Sequence, residues 1–290
     1  MPTFEDLGSD KRQWLTALGT PFYPDYLDEA KVVHEPTIKK FIELVDSATS
    51  SIDLFNTIQK ETGKQHTQLL RVFKKYVLPG ISVEATKVKK NAAEILKHHS
   101  HEFRDIESIR NLIKNRPTDD EALVAVLQEY STRGSKGYTL TEAFFEWFEN
   151  KYDGIYTISG PKRAGTDIQL RSLLKGFTDE APTDFVIRDA TNTIIAAGYA
   201  RYDSDRGGAQ EDDRTGGNSD KITKISEYNN RTGSKIKIIF LNDGPGLALG
   251  SMWRDYAVLD AKPGVLVCTL KMLEDRLTQE WLENDADFVR

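Results

Sequence analysis

The chain of 290 residues has a single cysteine, Cys268, so no disulfide can form within it and no cysteine cluster can hold zinc. It also lacks long hydrophobic runs: none approaches the roughly 20 apolar residues that a helix needs to span a bilayer. The first residues, MPTFEDLGSDKRQW, are acidic and have no apolar core like that of a secretory signal. We therefore expect a protein without a membrane segment that resides in the cytoplasm.

Basic residues are not in excess. The 39 Lys and Arg residues face 45 Asp and Glu residues, for a formal net charge of -6. This sign disfavours a protein that coats nucleic acid non-specifically, because DNA attracts basic partners. It does not exclude local binding, since a cleft has its own field and metal ions held by carboxylates reverse that field where a phosphate lies. The chain is long enough for one large domain or two ordinary ones.

The two parts of the chain have different patterns. Residues 1–135 are predicted to be mostly helical, because apolar residues recur there at helical spacing. The sequence RGSKG at 133–137 marks a linker or turn. Residues 136–290 begin with a short amphipathic helix, 139–150, and continue with strand patterns. We therefore predict a helical region, 1–135, and a second domain, 136–290.

The second domain is predicted to contain a sheet. Short runs with strand character are followed by glycine, proline or charged turns. The predicted strands are 155–159, 167–170, 185–187, 194–202, 236–241 and 265–270. Helices are predicted around 222–231, 252–258 and 271–281, the first of these ambiguously. This order implies an α/β fold with a mixed central sheet flanked by helices on both faces.

The stretch from Asp184 to Lys221 contains most of the candidate functional residues. It is predicted to form a strand, turn through Asn192, return as a second strand and then break into a charged loop. Positive and negative side chains alternate finely in that loop, which fits carboxylates that hold cations beside guanidinium groups that hold phosphates. A solvated surface loop is the plain alternative, because loops are usually polar.

The order of elements, with Pro182-Thr183-Asp184 entering a strand and a hairpin strand that ends in acidic residues, resembles the PD-(D/E)XK nuclease superfamily. Its best-known members are type II restriction endonucleases. The resemblance covers about residues 139–270 and implies a restriction-endonuclease-like sheet. It also implies a metal-dependent, site-specific endonuclease that hydrolyses phosphodiester bonds in double-stranded DNA. The helical region falls outside it.

The chain departs from the family's pattern on the second strand, where the family has an acid and a lysine with one residue between them. Neither Ala197-Gly198-Tyr199 nor Tyr199-Ala200-Arg201 contains that pair. Asp203 and Asp205 follow and lie on one face of an extended chain, because side chains alternate with period two. We assign Asp184, Asp203 and Asp205 as the acids. A second register, with Asp167 as the first acid and Asp184 as the second, stays open.

The resemblance also implies roles for single residues. Asp184 and Asp203 would bind Mg²⁺, and Asp205 would bind the metal or orient water. Arg201 would replace the electrostatic part of the absent lysine, because a guanidinium stays charged and grips phosphate at two points. Glu146, on the amphipathic helix, would hold a second metal or orient an outer-sphere water.

Base recognition requires further side chains. Gln210, Arg214, Asn218 and Lys221 are of the types that read base edges, and Arg206 is a candidate for DNA contact. Cutting both strands of a palindromic site favours a homodimer, whose interface we expect among the helices of residues 1–135. Lysines 87, 89, 90 and 97 form a basic flank there, which is either a solvated helix face or a phosphate contact.

Two other functional classes stay open. A DNA-binding module of the same fold, whose metal site has decayed, would explain the absent lysine. A hydrolase of small molecules with a metal-carboxylate site would bind no DNA at all.

Overall fold

The computed structural model describes residues 2–19, 21–116, 118, 120–132, 135–162, 167–204 and 210–285, without the side chains of residues 132, 135 and 210–215. The chain divides into two compact units. A helical unit comprises Thr20–Arg133, and a sheet unit comprises Met1–Gly19 together with Gly134–Arg290. The division predicted from sequence differs in one respect, because the first 19 residues belong to the sheet unit. Within the described ranges, no helix has the length and apolar character needed to cross a bilayer.

The helical unit packs around α1, which contacts α3 and α7. Its helices are α1 (Leu27–Ser47), α2 (Ser51–Lys60), α3 (Gly63–Tyr76), α4 (Val83–Thr86), α5 (Ala92–His99), α6 (Ile106–Lys114) and α7 (Glu121–Thr132). Side-chain oxygens cap several of them. Ser50 accepts from the backbone N–H of Asp53 at the start of α2, and Asp105 accepts from that of Ser108 at the start of α6. The predicted helical character of this region is confirmed.

The sheet unit contains a five-stranded mixed sheet. Its helices are α8 (Ser135–Lys151), α9 (Leu170–Leu173), α10 (Gln210–Thr232), α11 (Met252–Asp260), α12 (Leu273–Arg276) and α13 (Gln279–Glu283). Its strands are β1 (Thr157–Ser159), β2 (Ile168–Gln169), β3 (Pro182–Thr183), β4 (Phe185–Arg188), β5 (Ile194–Tyr202), β6 (Lys237–Asp243) and β7 (Val265–Cys268). The main sheet has the order β1-β4-β5-β6-β7, and β2 and β3 pair separately.

Strand directions divide the main sheet into two parts. β1, β4 and β5 form an antiparallel meander, whereas β5, β6 and β7 run parallel. All seven residues of β6 are buried, as expected for a central parallel strand covered on both faces. The structure confirms the prediction of a mixed sheet with flanking helices.

The helix α8 covers one face of the sheet through its aromatic residues. The rings of Phe144 and Phe145 lie 4.8 and 6.2 Å from that of Phe185. The Phe185 ring in turn covers Gly198 on β5, where an added Cβ would come within 1.9 Å of it. Because side chains alternate along strands, Asp184 and Tyr199 point to the opposite face.

One predicted element is different in the structure. The charged stretch that ends at Lys221 was expected to be a loop, but from Gln210 onward it is the first half of the 23-residue helix α10. The glycine pair at 216–217 suggested a break, since each glycine disfavours a helix by about 1 kcal/mol relative to alanine. The buried residues Ile222, Ile225 and Tyr228 recur at helical spacing and pack into the core, which outweighs that cost.

The N-terminal segment is anchored to the sheet unit by specific contacts. Phe4 is fully buried, and its ring stacks on that of Trp253 with the centroids 4.3 Å apart. Farther along, the backbone N–H of Thr16 donates to Asp243 at the end of β6, and Thr269, just after β7, donates its hydroxyl to the carbonyl of Trp14. This segment therefore covers the carboxyl ends of the parallel strands.

Candidate functional site

Asp184 occupies the position immediately before β4. Its backbone N–H donates to the carbonyl of Gly198 at 2.9 Å, and its Oδ2 accepts from the backbone N–H of Ala200 at 2.7 Å. The carboxylate is thereby fixed against β5. Burial raises the pKa of Asp184, and the nearby charge of Asp167 acts in the same direction. The hydrogen bond from Ala200 and the charge of Lys221 oppose this rise.

Lys221 approaches this carboxylate from α10. Its Nζ lies 4.1 Å from the centroid of the Tyr199 ring and 3.4 Å from Oδ1 of Asn218, which accepts a hydrogen bond from it. Burial lowers the pKa of Lys221, although the negative charges of Asp184 and Asp167 favour the charged amine. The half-buried ammonium thus lies on the same face of the sheet as Asp184.

Tyr199 forms the floor beneath Lys221. Its ring stacks on that of Phe240, with centroids 5.4 Å apart, and the residue is almost fully buried. Burial raises the pKa of the Tyr199 phenol, and the charge of Asp184 raises it further. The phenol is therefore neutral, and its ring offers an electron-rich face to the ammonium.

Asp167 is brought to the same place by the small sheet. It precedes β2, whose residue Ile168 pairs with Thr183 of β3, directly before Asp184. Asp167 is exposed, and its charge acts on both Asp184 and Lys221. Two carboxylates and one ammonium therefore form the core of the candidate site, which we call the Asp184 cluster (Asp167, Asp184, Tyr199 and Lys221).

Asp203 lies away from this cluster. Phe185 pairs with Gly198, which puts Asp184 level with Tyr199 and puts Asp203 four residues farther along the strand direction. At about 3.3 Å per residue, that is roughly 13 Å between α-carbons. One Mg²⁺ ion, with oxygen ligands at about 2.1 Å, cannot bridge that gap. The structure does not bring together the two acids that were expected to share a metal.

Asp203 instead binds Arg201 and supports a turn. The Nε of Arg201 donates to Oδ1 of Asp203 at 2.9 Å. The backbone carbonyl of Asp203 accepts from the N–H of Gly246, and Asp203 is only 4% exposed. The Arg201 side chain remains 43% exposed. Asp203 thus orients a guanidinium that is still accessible from solvent.

Glu146 is also outside the cluster. It lies on α8, is exposed and projects from the helix whose aromatic residues cover the other face of the sheet from Asp184. The expected metal or water-orienting role for Glu146 therefore finds no support in its position. Among the residues that the structure describes, no group of three His, Cys, Asp or Glu could hold a metal ion.

The predicted DNA-reading residues have mixed outcomes. Asp205 and Arg206 lie outside the described residues. Gln210 and Arg214 fall in the first half of α10, and their side chains also lie outside the described part. Asn218, expected to contact bases, accepts a hydrogen bond from Lys221.

The position of Lys221 could have been inferred from the sequence. Lys221, Ile225 and Tyr228 follow the i, i+4, i+7 spacing of one helix face. Ile225 and Tyr228 are buried, so a helix over this stretch would place Lys221 beside the sheet. The signal was missed because the charged stretch was treated as a loop.

A separate cavity of about 960 Å³ lies at the other ends of the strands. Its lining includes Thr193 and Ile194 at the start of β5 and Ile236 just before β6. Tyr199, Lys221 and Asp184 do not line it. The Asp184 cluster is therefore not part of this cavity.

Comparison with known proteins gives no assignment. No protein-family model, no curated protein and no solved structure matches this chain.

Proposed function

We propose that the chain is a metal-dependent, site-specific endonuclease that hydrolyses phosphodiester bonds in double-stranded DNA, with a fold like that of type II restriction enzymes. The observation that carries the proposal is the Asp184 carboxylate at the start of β4, held against β5 beside the Lys221 ammonium. This pairs an acid with a cation on one face of a sheet, where a phosphate could approach both.

The order of elements supports the resemblance. Helix α8 leads into the antiparallel meander β1-β4-β5, and α10 then crosses to the parallel strand β6. The family's first acid lies at the start of a strand, as Asp184 does before the middle strand of the meander. The neighbouring positions on β5, Tyr199 to Arg201, carry neither the family's acid nor its lysine.

We propose that Lys221 performs the role of that lysine. Its ammonium reaches the face of β5 beside Asp184 from α10 instead of from the strand itself. There it would neutralise charge that develops on the phosphoryl oxygens, which is the largest electrostatic requirement of phosphoryl transfer. Arg201, oriented by Asp203, would grip a neighbouring phosphate oxygen.

Two carboxylates, those of Asp184 and Asp167, would be available to a divalent cation in this cluster. Burial raises the pKa of Asp184 and the Asp167 charge adds to this, so a cation at that point would relieve both effects. Carboxylate oxygens are the protein ligands that Mg²⁺ prefers, with water and substrate phosphate completing its shell. We propose Asp184 and Asp167 as the protein ligands. Mg²⁺ would supply Lewis-acid polarisation of the phosphate and an activated water.

The second candidate is a DNA-binding module of the same fold that does not cut. It is favoured by one observation, the absence of an acid at Tyr199 to Arg201 on β5. Supercoiled plasmid incubated with the protein in Mg²⁺ and in EDTA separates the two. Cleavage that requires Mg²⁺ supports the enzyme, whereas DNA retention without cleavage supports the module. If the protein neither binds nor cuts DNA, both proposals fail.

Double-strand cleavage at a palindromic site further suggests a two-fold homodimer. Light scattering on the purified protein, with and without a DNA duplex, tests this. A mass of twice 32.8 kDa is the expected result. A monomer in both conditions would contradict it.

A further inference from the structure

The cavity of about 960 Å³ lies at the amino ends of β5 and β6 and has no part in the proposed cleavage. Its volume suits a small organic molecule, since ligand pockets typically enclose about 300 to 1,000 Å³. Its walls come from residues 155–156 before β1, the turn between β4 and β5, residues 233–236 before β6, and the helices α9 and α13. All of these segments belong to the sheet unit, so the cavity is built within one unit.

Apolar side chains form part of the lining and remain open to solvent. Ile155 is 41% exposed and Leu173 is 38% exposed. Single exposed apolar residues are common on protein surfaces, but these two line one concave site together with the rings of Tyr156 and Tyr228. Covering such a surface removes it from water, which favours a ligand with an apolar body.

The three carboxylates at the cavity already have donors within the protein. Oδ1 of Asp189 accepts from two backbone N–H groups of its own turn, each at 2.9 Å. Glu283 accepts from the phenol of Tyr156 at 3.0 Å, and Asp285 pairs with the Nζ of Lys235 at 2.6 Å. These acids therefore need no cation from a ligand.

Arg188 is different, because its charge is not matched. It is the last residue of β4, where it pairs with Thr157 of β1 and with Ile194 of β5, and it is half-buried. Within the described ranges its guanidinium forms neither a hydrogen bond nor an ion pair. Burial removes part of the hydration of such a group, and here no acceptor of the protein compensates for it. A ligand that brings an acceptor would do so.

We propose that this cavity binds a small organic anion, a molecule with a carboxylate or phosphate group on an apolar body. The anionic group would accept paired hydrogen bonds from the guanidinium of Arg188, whose planar fork matches both groups. The apolar body would cover Ile155 and Leu173. Because Asp184 and Lys221 do not line the cavity, this binding does not depend on DNA cleavage.

Ligand-observed NMR titrations of the purified protein, without divalent cations, test the proposal. The probes are naphthoate, naphthyl phosphate and the neutral naphthamide, all substituted at the same ring position. We expect at least one anion to bind about tenfold more tightly than the amide, since hydrogen bonds between charged groups are roughly twice as strong as neutral ones. The anion that binds more tightly identifies the preferred head group.

Two variants with matched controls locate the binding. Arg188→Gln should weaken the anion about tenfold and leave the amide nearly unchanged, which also shows that the cavity is intact. Arg171→Gln removes the same charge from α9, where Arg171 pairs with Glu180 outside the lining, and should bind like wild type. Leu173→Gln should weaken all three probes, whereas Val258→Gln, which changes an exposed residue outside the cavity, should weaken none.

Several results would overturn the proposal. Failure of both anions to bind would do so, as would equal affinity for the anions and the amide. Anion binding that is unchanged in Arg188→Gln, or that falls equally in Arg171→Gln, would show that the guanidinium of Arg188 does not hold the ligand. Unfolding midpoints of all four variants confirm that each comparison is made between folded proteins.

Discussion

The ammonium of Lys221 lies 4.1 Å from the centre of the Tyr199 ring, on the face of β5 against which the Asp184 carboxylate is fixed. These residues come from α10, β5 and the start of β4, so the fold and not sequence proximity unites them. A cation held on an aromatic face has a restricted position. We expect this contact to place Lys221 for phosphate binding.

The first prediction concerns the ring of Tyr199. Tyr199→Phe keeps the aromatic face and should cleave DNA at close to the wild-type rate. Tyr199→Leu removes it, and a contact worth about 0.5 to 2 kcal/mol corresponds to roughly a 2- to 30-fold slower single-turnover rate. Without the ring the charged amine is less favoured, so the alkaline limb of the pH-rate profile should move to lower pH.

A purely structural role for Tyr199 predicts a different pattern. Both variants would then lose thermal stability, and the pH-rate profile of any remaining activity would not move. Measuring the profile and the unfolding midpoint on the same preparations distinguishes the two roles.

The second prediction concerns stability and pH. Burial raises the folded-state pKa of Asp184 above the ordinary aspartate value of 3.8, so the folded state disfavours the charged carboxylate. The protonated carboxyl group therefore contributes to the free energy of unfolding at low pH. This contribution is lost as the pH rises from the ordinary pKa through the higher pKa of the folded state. Asp184→Asn keeps an oxygen that can accept from the Ala200 N–H. It should therefore be more stable than wild type at neutral pH, with a gain that disappears near pH 3.

Urea unfolding of wild type and Asp184→Asn at a series of pH values measures this difference. A variant that is less stable than wild type at neutral pH, or a difference that does not change with pH, would contradict the prediction. Unfolding in the absence of divalent cations is essential, because bound Mg²⁺ would stabilise the wild type alone.

Local sequence patterns predict some features of the fold and not others. The strand predicted over 194–202 is β5, because its apolar residues and the turn at Asn192 are local signals. The helix α10 was missed over its first half, where glycines and charges suggested a loop. The docking of Phe4 on Trp253 joins residues 249 positions apart, and no local pattern encodes it.

The same distinction applies to the candidate site. Asp184 was identified because an acid directly before a strand is visible in the sequence. The distance between Asp184 and Asp203 could not be predicted in this way, because it depends on the register of β4 against β5. Asp167 was considered only as an alternative, and it took the pairing of Ile168 with Thr183 to bring it beside Asp184.

The third prediction concerns the anchoring of the N-terminal segment. The Nη2 of Arg276 donates to both carboxylate oxygens of Asp260 at 2.8 Å, and both side chains are buried. Asp260 also accepts from the backbone N–H of Phe4 at 3.0 Å. Arg276→Met leaves a buried, unpaired carboxylate and should lower the free energy of unfolding by about 3 to 5 kcal/mol.

Removing both charges should cost less. In Arg276→Met/Asp260→Asn no buried charge is left without a partner, and the Asn side-chain oxygen can still accept from the backbone N–H of Phe4 or of Val267. This double variant should therefore be more stable than Arg276→Met alone. Urea unfolding of the three proteins tests this. A double variant that is no more stable than Arg276→Met would contradict the prediction.

The proposed cleavage requires Asp184 and Lys221 to act on the same phosphate. Single-turnover cleavage of plasmid DNA in Mg²⁺ should fall at least about a hundredfold in Asp184→Asn and in Lys221→Gln. Lys224→Gln, which removes a lysine of the same helix that pairs with Asp220, should cleave at nearly the wild-type rate. Undiminished cleavage in Asp184→Asn, or equal losses in the two lysine variants, would contradict the account.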